Sequence, residues 1–572
     1  MNLALLDRLC AICGIHTAYR DVWGAERRVP PETRIALLAA MGVSAASDAE
    51  LERSVEDCES EEWRRPLPPV VVFRGASGPL HVPLRIPTRL AHTQFECTLV
   101  TENGERTTLH CRAEALRRTA DRTVDGEPFA AFDLLVNELP ACGYHRLELA
   151  SREASALQSV ATIIVAPPHC YLPEAVQQGR LWGPVVNLYG IRSRRNWGIG
   201  DFTDLGTLVE FAAAAGAGAV GVNPLHALYP HDPEHASPYS PSSRLQLNAL
   251  YLDPERVAEF PDCRAARERV ESRAFQDALQ SLRAADLLDY SAVSRLKTEV
   301  LGMLYQSFRE QHLDRGTGRS RAFRAFQSTG GETLRRASVF HALQEALQAR
   351  DPSAWGWRSW PQAYRDPGSP EVERFAAEHR DRIEYYDYLQ WNADEQLGAA
   401  GQRALELHLG VGIYLDLAVG ADPGGAETWG QHALYAESVT IGCPPDDFGP
   451  NGQDWGMPPL VPHRLRETAY APFAALLRAN MRHAGALRID HIMGLMRQFW
   501  VPAGMGPGAG GYVSFPVDDL LGVLALESER NRCMVIAEDL GTLPDGLAER
   551  LQDQRILSYR LLYFQRESDG GF

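Results

Sequence analysis

Past the paired prolines Pro167-Pro168, short apolar runs alternate with runs of helical periodicity, and this alternation constrains the fold more than any other feature of the chain. Strands buried on both faces read as continuous apolar stretches, and their alternation with helices is the pattern of a parallel sheet built from βα units. Strands are expected at Val185-Tyr189, Ala219-Asn223, Gly412-Leu417, Ala486-His491, Met534-Asp539 and Ile556-Phe564. Helices are expected over Asp204-Ala215, Thr468-His483 and Val517-Arg530. Between the second and third strands, about residues 230 to 410 form a largely helical insertion that carries Trp355, Trp357 and Trp360.

The chain before the proline pair follows other rules. From Leu3 to about Val43 apolar residues recur at helical spacing, and Pro30-Pro31-Glu32-Thr33 introduces a helix bearing Ile35, Leu37 and Leu38, which reads as a small helical cap. Then Val70-Phe73, Phe95-Val100, Phe132-Asn137, His145-Leu149 and Ala161-Ala166 are β-rich runs separated by Gly, Pro and Asn turns, the signature of an antiparallel sandwich. Neither proline can donate to a ladder or continue a helix, so the main boundary falls near residue 170. The division expected is a helical region over residues 1–62, a β-sandwich over 63–168 and a parallel α/β unit over 169–572. A chain of 572 residues needs such a division, because single cores stop growing at roughly 250 to 300 residues.

Composition narrows the partners. Apolar content of 45% with 23% charge is ordinary for a globular protein, and the formal charge of −17 works against binding a phosphate backbone or an anionic membrane. A neutral ligand fits better than nucleic acid or a membrane surface. All basic residues but Lys297 are arginine, which reads as coding bias rather than function. The opening MNLALLDRLC lacks a basic segment, a long apolar run and a small-residue cleavage site. No apolar run reaches the roughly 18 residues of a membrane helix. The ten scattered cysteines suit a reducing compartment, so a cytoplasmic protein is expected.

Two strand ends carry chemistry. Ala486-Leu487-Arg488-Ile489-Asp490-His491 alternates strictly, placing Leu487 and Ile489 on one face and Arg488 with Asp490 on the other. In a parallel barrel, residues at the C-terminal strand ends meet at the catalytic face. Arg488 beside Asp490 is expected to keep that carboxylate ionised, as a nucleophile requires; the plainer alternative is a structural ion pair. The next strand, Met534-Val535-Ile536-Ala537-Glu538-Asp539, also ends in carboxylates, with Thr542 and Asp545 spaced to cap a following helix. Carboxyl groups on neighbouring strand ends can approach to about 5 to 5.5 Å, the separation of a retaining glycosidic displacement. Spacing alone leaves open whether Glu538 or Asp539 is the acid.

Three loops offer the aromatic and polar groups that sugar sites combine: Ser237-Pro238-Tyr239-Ser240-Pro241, Asn196-Trp197-Gly198-Ile199-Gly200-Asp201-Phe202, and Pro444-Pro445-Asp446-Asp447-Phe448 through Gly452-Gln453-Asp454-Trp455-Gly456. Other patterns are weaker. Gly198-Ile199-Gly200 lacks a third glycine and a phosphate-loop lysine, Cys10-Ala11-Ile12-Cys13 lacks a second pair, and His231-Asp232-Pro233-Glu234-His235 is broken by proline. No metal site is expected. Gly506-Pro507-Gly508-Ala509-Gly510-Gly511 reads as a flexible loop.

In order and spacing, these motifs resemble the amylomaltases, or 4-alpha-glucanotransferases, over about residues 180 to 564. The resemblance runs through Trp197 to Phe202, Ser237-Pro238-Tyr239, Asn248 to Asp253, Gly452 to Gly456, Arg488 to His491 and Ala537 to Gly541; the N-terminal part looks like the extra domains of longer bacterial members. It implies an α/β fold of the (β/α)8 TIM-barrel type with a helical insertion, preceded by the helical cap and the sandwich. It further implies cleavage of an α-1,4 glucan and transfer of the bound segment to another sugar's 4-hydroxyl, with malto-oligosaccharides and glucose as partners and no cofactor. By this resemblance Asp490 is the nucleophile and Glu538, rather than Asp539, the acid/base, while Arg488, His491, Ser237, Tyr239, Trp455, Gln453 and Asp201 serve substrate binding. The Trp455 loop would shield the covalent intermediate from water.

One departure accompanies the resemblance. The family places a third carboxylate in a His-Asp motif at the seventh strand, and only six barrel strands precede Phe572. The barrel is therefore expected to be incomplete at its C-terminal end, with an open strand edge, little or no turnover and poor solubility. Two rival readings are a retaining α-glucan hydrolase and a non-catalytic glucan-binding protein.

Overall fold

The computed structural model describes residues 1–75, 78–151, 157–447, 449–562, 565 and 571; Phe448 and Phe564, named above, lie outside the described residues. The first helices form as the sequence dictates: the Asn2 side chain caps α1 (Leu3–Ile12), Pro31 opens α2 (Pro31–Ala40), and Ser47 caps α3 (Asp48–Glu61). Between α1 and α2, however, the expected helical run gives way to a hairpin, β1 (Ala18–Arg20) and β2 (Glu26–Arg28). Gly14 and Gly24, at φ of 75° and 84°, supply the left-handed turns that stop the helix and reverse the strand. Leu6, Leu37 and Leu38 share one core with Val513 and Phe515 of the α/β unit, so these helices are packed onto that unit.

Eight strands follow: β3 (Val70–Arg74), β4 (Leu80–Pro87), β5 (Gln94–Val100), β6 (Arg106–Arg112), β7 (Arg117–Val124), β8 (Glu127–Val136), β9 (Gly143–Ser151) and β10 (Ser159–Ala166). They make two sheets, β3-β10-β9-β5-β6 and β4-β8-β7. Alternation decides what faces inward: Leu80, Val82, Leu84 and Ile86 are 2% exposed or less, and they share a core with Phe95, Leu147, Leu149 and Ile163. The expectation of an antiparallel sandwich needs one correction, because β3 pairs with β10 in parallel. All the other strands lie between these two in sequence, chain enough for the crossover that parallel neighbours need.

The remaining strands are β11 (Val185–Val186), β12 (Ala219–Val222), β13 (His226–Ala227), β14 (Ser243–Leu247), β15 (Gly412–Leu417), β16 (Val439–Cys443), β17 (Gln453–Asp454), β18 (Ala486–Ile489), β19 (Arg497–Pro502), β20 (Gly511–Ser514), β21 (Met534–Ala537) and β22 (Leu557–Ser558). Six of them, β11-β12-β15-β18-β21-β22, pair in parallel and in chain order, the topology of a TIM-type barrel. Among the described residues β11 and β22 are not paired with each other. The two faces of these strands separate by chemistry. Leu415, Leu487, Ile489 and Val535 join the large core, whereas Ala486, Met534, Tyr414 and Ile536 gather in a small cluster on the other face.

Three local expectations are corrected. The helix expected over Thr468-His483 is broken at Ala469 and Tyr470, both left-handed at φ of 50° and 59°, and starts afresh at Ala471. Tyr470 is fully buried there, with its hydroxyl donating to Asp519 at 2.5 Å. Neither Thr542 nor Asp545 caps the helix Leu547–Asp553, which begins after Gly546 at φ 76°. The glycine-rich stretch 506–511 is not loop throughout: Pro507–Ala509 is one 3-10 turn, and Gly511 starts β20. Gly511 lies against Val29, where an added Cβ would come within 3.1 Å.

A four-stranded antiparallel sheet, β17-β16-β19-β20, stands beside the strand ends and was not anticipated. The N-terminal hairpin is fastened to it. Ile15 bridges to Val513, and Tyr19 meets Phe499 and Tyr512 edge-on at 5.7 and 5.4 Å between ring centroids. The sandwich is tied to the α/β unit by the Tyr144 hydroxyl, which donates to the fully buried Glu527 at 2.7 Å, and Arg478 closes on the same carboxylate at 2.6 Å. No helix among the described residues is long and apolar enough to cross a membrane.

Candidate active site

The pairing of β18 with β21 sets Ile489 opposite Ala537, so the next residues, Asp490 and Glu538, leave neighbouring strand ends side by side. The Glu538 amide donates to Ile489 O at 3.0 Å, and the Ile492 amide returns a bond to Glu538 O at 3.1 Å. Both side chains open onto a cleft of about 510 Å³, together with Ser237, Tyr239, Gln453, Trp455 and His491. Asp539, which spacing could not separate from Glu538, points away: it is 3% exposed and bound to Arg560 at 3.1 Å and the Tyr559 amide at 3.1 Å.

Arg488 does not line the cleft but organises it. Its guanidinium reaches Asp416 at 2.6 Å and Asp490 at 2.8 Å. Burial works against that charge, yet the two carboxylates hold Arg488 protonated above its ordinary range. Asp416, on β15 directly opposite Arg488, was not anticipated, although the run Leu415-Asp416-Leu417 carried the same signal of a carboxylate near a strand end. The Tyr239 hydroxyl donates to Asp416 at 2.9 Å, which fixes an aromatic ring that is 44% exposed at the cleft.

Arg488 and burial act in opposite directions on both carboxylates. Burial pushes the Asp490 carboxyl above its ordinary range, and the opposing pull of Arg488 does not fully cancel this. Asp416 is raised for the same reason, with Arg488 again opposing. Glu538 is raised by burial and by the charge of Asp490, against backbone hydrogen bonds from Leu540 at 2.8 Å and His491 at 3.0 Å. An acid with a raised pKa is what a proton donor at a glycosidic oxygen needs.

His491 sits in the left-handed region at φ 52°, a conformation that costs a non-glycine residue of order 1–3 kcal/mol and directs its amide at Glu538. Burial lowers its ring to about 4, so it is neutral at working pH. Trp455 stands edge-on to that ring with centroids 5.1 Å apart, and its indole N–H donates to Gln453 at 3.1 Å. The Trp455 loop is held close by Gly442, where an added Cβ would lie 2.0 Å from Gln453 O.

One expected site residue is elsewhere. Asp201 is 1% exposed, caps the helix Phe202–Ala214 in a capping box with Asp204, and pairs with Arg195. Asn196 and Trp197 of the same motif are also buried, with Trp197 edge-on to Phe275 at 5.0 Å. This loop is a packing and capping motif, so its pattern reflects fold rather than sugar contact. No His/Cys/Asp/Glu group suited to a metal occurs among the described residues.

A parallel barrel sheet that brings two carboxylates to neighbouring strand ends beside aromatic rings has the groups that acid-assisted displacement at a glycosidic bond requires. The model of the 4-alpha-glucanotransferase family matches residues 186–572, and that of the MalQ N-terminal beta sandwich domain matches residues 66–167. The chain belongs to the 4-alpha-glucanotransferase family. It is 38% identical to a 4-alpha-glucanotransferase of Haemophilus influenzae over 74% of this chain and 61% of that protein. It is 36% identical to one of Mycobacterium tuberculosis over 98% of this chain and 75% of the other. The chain thus spans less than two thirds of the Haemophilus relative. The amylomaltase from Corynebacterium glutamicum superposes with a TM-score of 0.85 at 29% identity, over 99% of this chain and 76% of that one. An amylomaltase from Streptococcus agalactiae, solved with acarbose, shares the fold at a TM-score of 0.56 and 18% identity, over 69% of this chain and 75% of the other.

Proposed function

We propose that this chain cleaves α-1,4 glucans and passes the bound segment to the 4-hydroxyl of another sugar by a retaining double displacement. The observation that carries the reading is the pair Asp490 and Glu538, adjacent in register and open to one cleft with Tyr239 and Trp455. An Asp490 oxygen attacks the anomeric carbon as the bond to the leaving 4-oxygen breaks, and Glu538 gives that oxygen its proton. Glu538, now ionised, takes the proton from an acceptor 4-hydroxyl, which attacks the same carbon and releases Asp490. Arg488 holds the nucleophile in place and favours its charged form. Trp455 against His491 narrows the access of water to the intermediate, so a sugar acceptor competes well.

Malto-oligosaccharides serve as donors and, with glucose, as acceptors. The cytoplasm suits a chain whose ten cysteines are all free thiols, half of them buried. The test is to incubate the protein with maltotriose and separate the products. Longer and shorter oligomers together support transfer, glucose and maltose alone mean hydrolysis, and binding without turnover means a glucan-binding module.

A further inference from the structure

The tip of the N-terminal hairpin holds an exposed tryptophan in a fixed position. Trp23 is 54% exposed, yet the turn beneath it is rigid: the Asp21 carboxylate accepts hydrogen bonds from the Trp23 amide at 3.1 Å, the Ala25 amide at 2.8 Å and Arg27 at 2.8 Å. Asp21 itself is 5% exposed. The Trp23 indole N–H donates to Asp447 at 3.0 Å, on the loop whose neighbouring residue Asp446 lines the catalytic cleft. The base of the hairpin rests on the same wall, since Tyr19 packs against Phe499 and Tyr512, which both line the cleft. The hairpin therefore backs the cleft wall and sets an aromatic ring at its rim.

Exposing an indole costs hydration free energy, and here its N–H is satisfied by Asp447 while much of the ring stays in solvent. A tryptophan held this way offers broad apolar area with little entropy to lose on binding. Glucose rings in an α-glucan present apolar C–H faces that pack on such a surface. We propose that Trp23 is a remote glucan platform, a subsite outside the catalytic cleft that only chains long enough to overrun the Asp446 rim can reach. This rests on the glucan-transferring reading above and adds to it a role for the N-terminal region in selecting long substrates.

The test is binding, by calorimetry on the full chain in a Glu538→Gln background so that ligand is not consumed. Maltotriose and linear amylose are the probes, and Trp23→Ala and Trp23→Phe the variants. Trp23→Ala is expected to weaken amylose binding about tenfold and leave maltotriose unchanged, while Trp23→Phe keeps most of the affinity. Unchanged amylose binding by Trp23→Ala overturns the platform alone. An equal loss in Trp23→Phe also overturns it, because the hydrogen bond to Asp447 would then be what matters. Failure of the parent chain to bind either glucan overturns the glucan reading together with the platform. Thermal unfolding of each variant confirms the fold, and Trp23→Phe decides the matter if Trp23→Ala unfolds.

Discussion

Replacing Arg488 with methionine leaves Asp416 and Asp490 without the guanidinium that bridges them at 2.6 and 2.8 Å. Both carboxylates are largely enclosed, their side chains 8% and 22% exposed. Removing one partner of a buried ion pair costs about 3–5 kcal/mol, and the partial exposure of Asp490 places this case near about 3 kcal/mol. Catalysis should suffer separately. Loss of one preorganised charge beside the reacting groups lowers kcat by about 10²–10³. The pH profile carries the decisive sign: Arg488 opposes the upward shift that burial imposes on Asp490, so its removal raises that carboxyl further. The nucleophile must be ionised, so the acid limb of kcat/KM moves to higher pH. Arg488→Lys should recover only part of the loss, because one ammonium cannot reproduce the planar fork that serves both acids. The assay is disproportionation of maltotriose across pH, with denaturant unfolding measured in parallel. An unmoved acid limb in a folded Arg488→Met protein would refute the reasoning.

Gly442→Ala places a Cβ 2.0 Å from Gln453 O, so the β16–β17 pair must part; we expect a loss of about 1–3 kcal/mol in unfolding free energy and a raised KM for maltotriose. Trp455→Ala opens the space beside His491 to water, and the ratio of hydrolysis to transfer, read as reducing ends released per oligomer formed, should rise several-fold, on the order of 1 kcal/mol. Because the Asp490 carboxyl is raised in the folded state, its stabilising contribution is present below its unfolded value and lost as pH rises through the folded one. Asp490→Asn should therefore melt higher than the parent at pH 7, and calorimetric scans at acid pH should show the difference vanish.

The strand ends were legible in the sequence because strict alternation forces Arg488 and Asp490 to share a face, whatever the rest of the chain does. Spacing alone could not separate Glu538 from Asp539, and only the family resemblance named Glu538; adjacent residues on a strand end diverge, and in the structure Glu538 lines the cleft while Asp539 is bound to Arg560. Asp416 escaped notice for a related reason: its worth lies in facing Arg488 across a ladder, a register that no single run of residues displays. Asp201 was misread because a buried capping box and a ligand site draw on the same residue types. The N-terminal hairpin was missed because strands of three residues leave too little alternation to outweigh the helical spacing around them.

The most direct test of the account is to trap the intermediate. The Glu538→Gln protein keeps Asp490 but cannot protonate a sugar leaving group, so an α-maltosyl fluoride, whose leaving group needs no proton, should glycosylate it and stall. Peptide mass spectrometry is expected to find the added maltosyl mass on Asp490. A maltosyl adduct on any other residue, or release of the inverted sugar without an adduct, would contradict the assignment of Asp490 as nucleophile and Glu538 as acid/base.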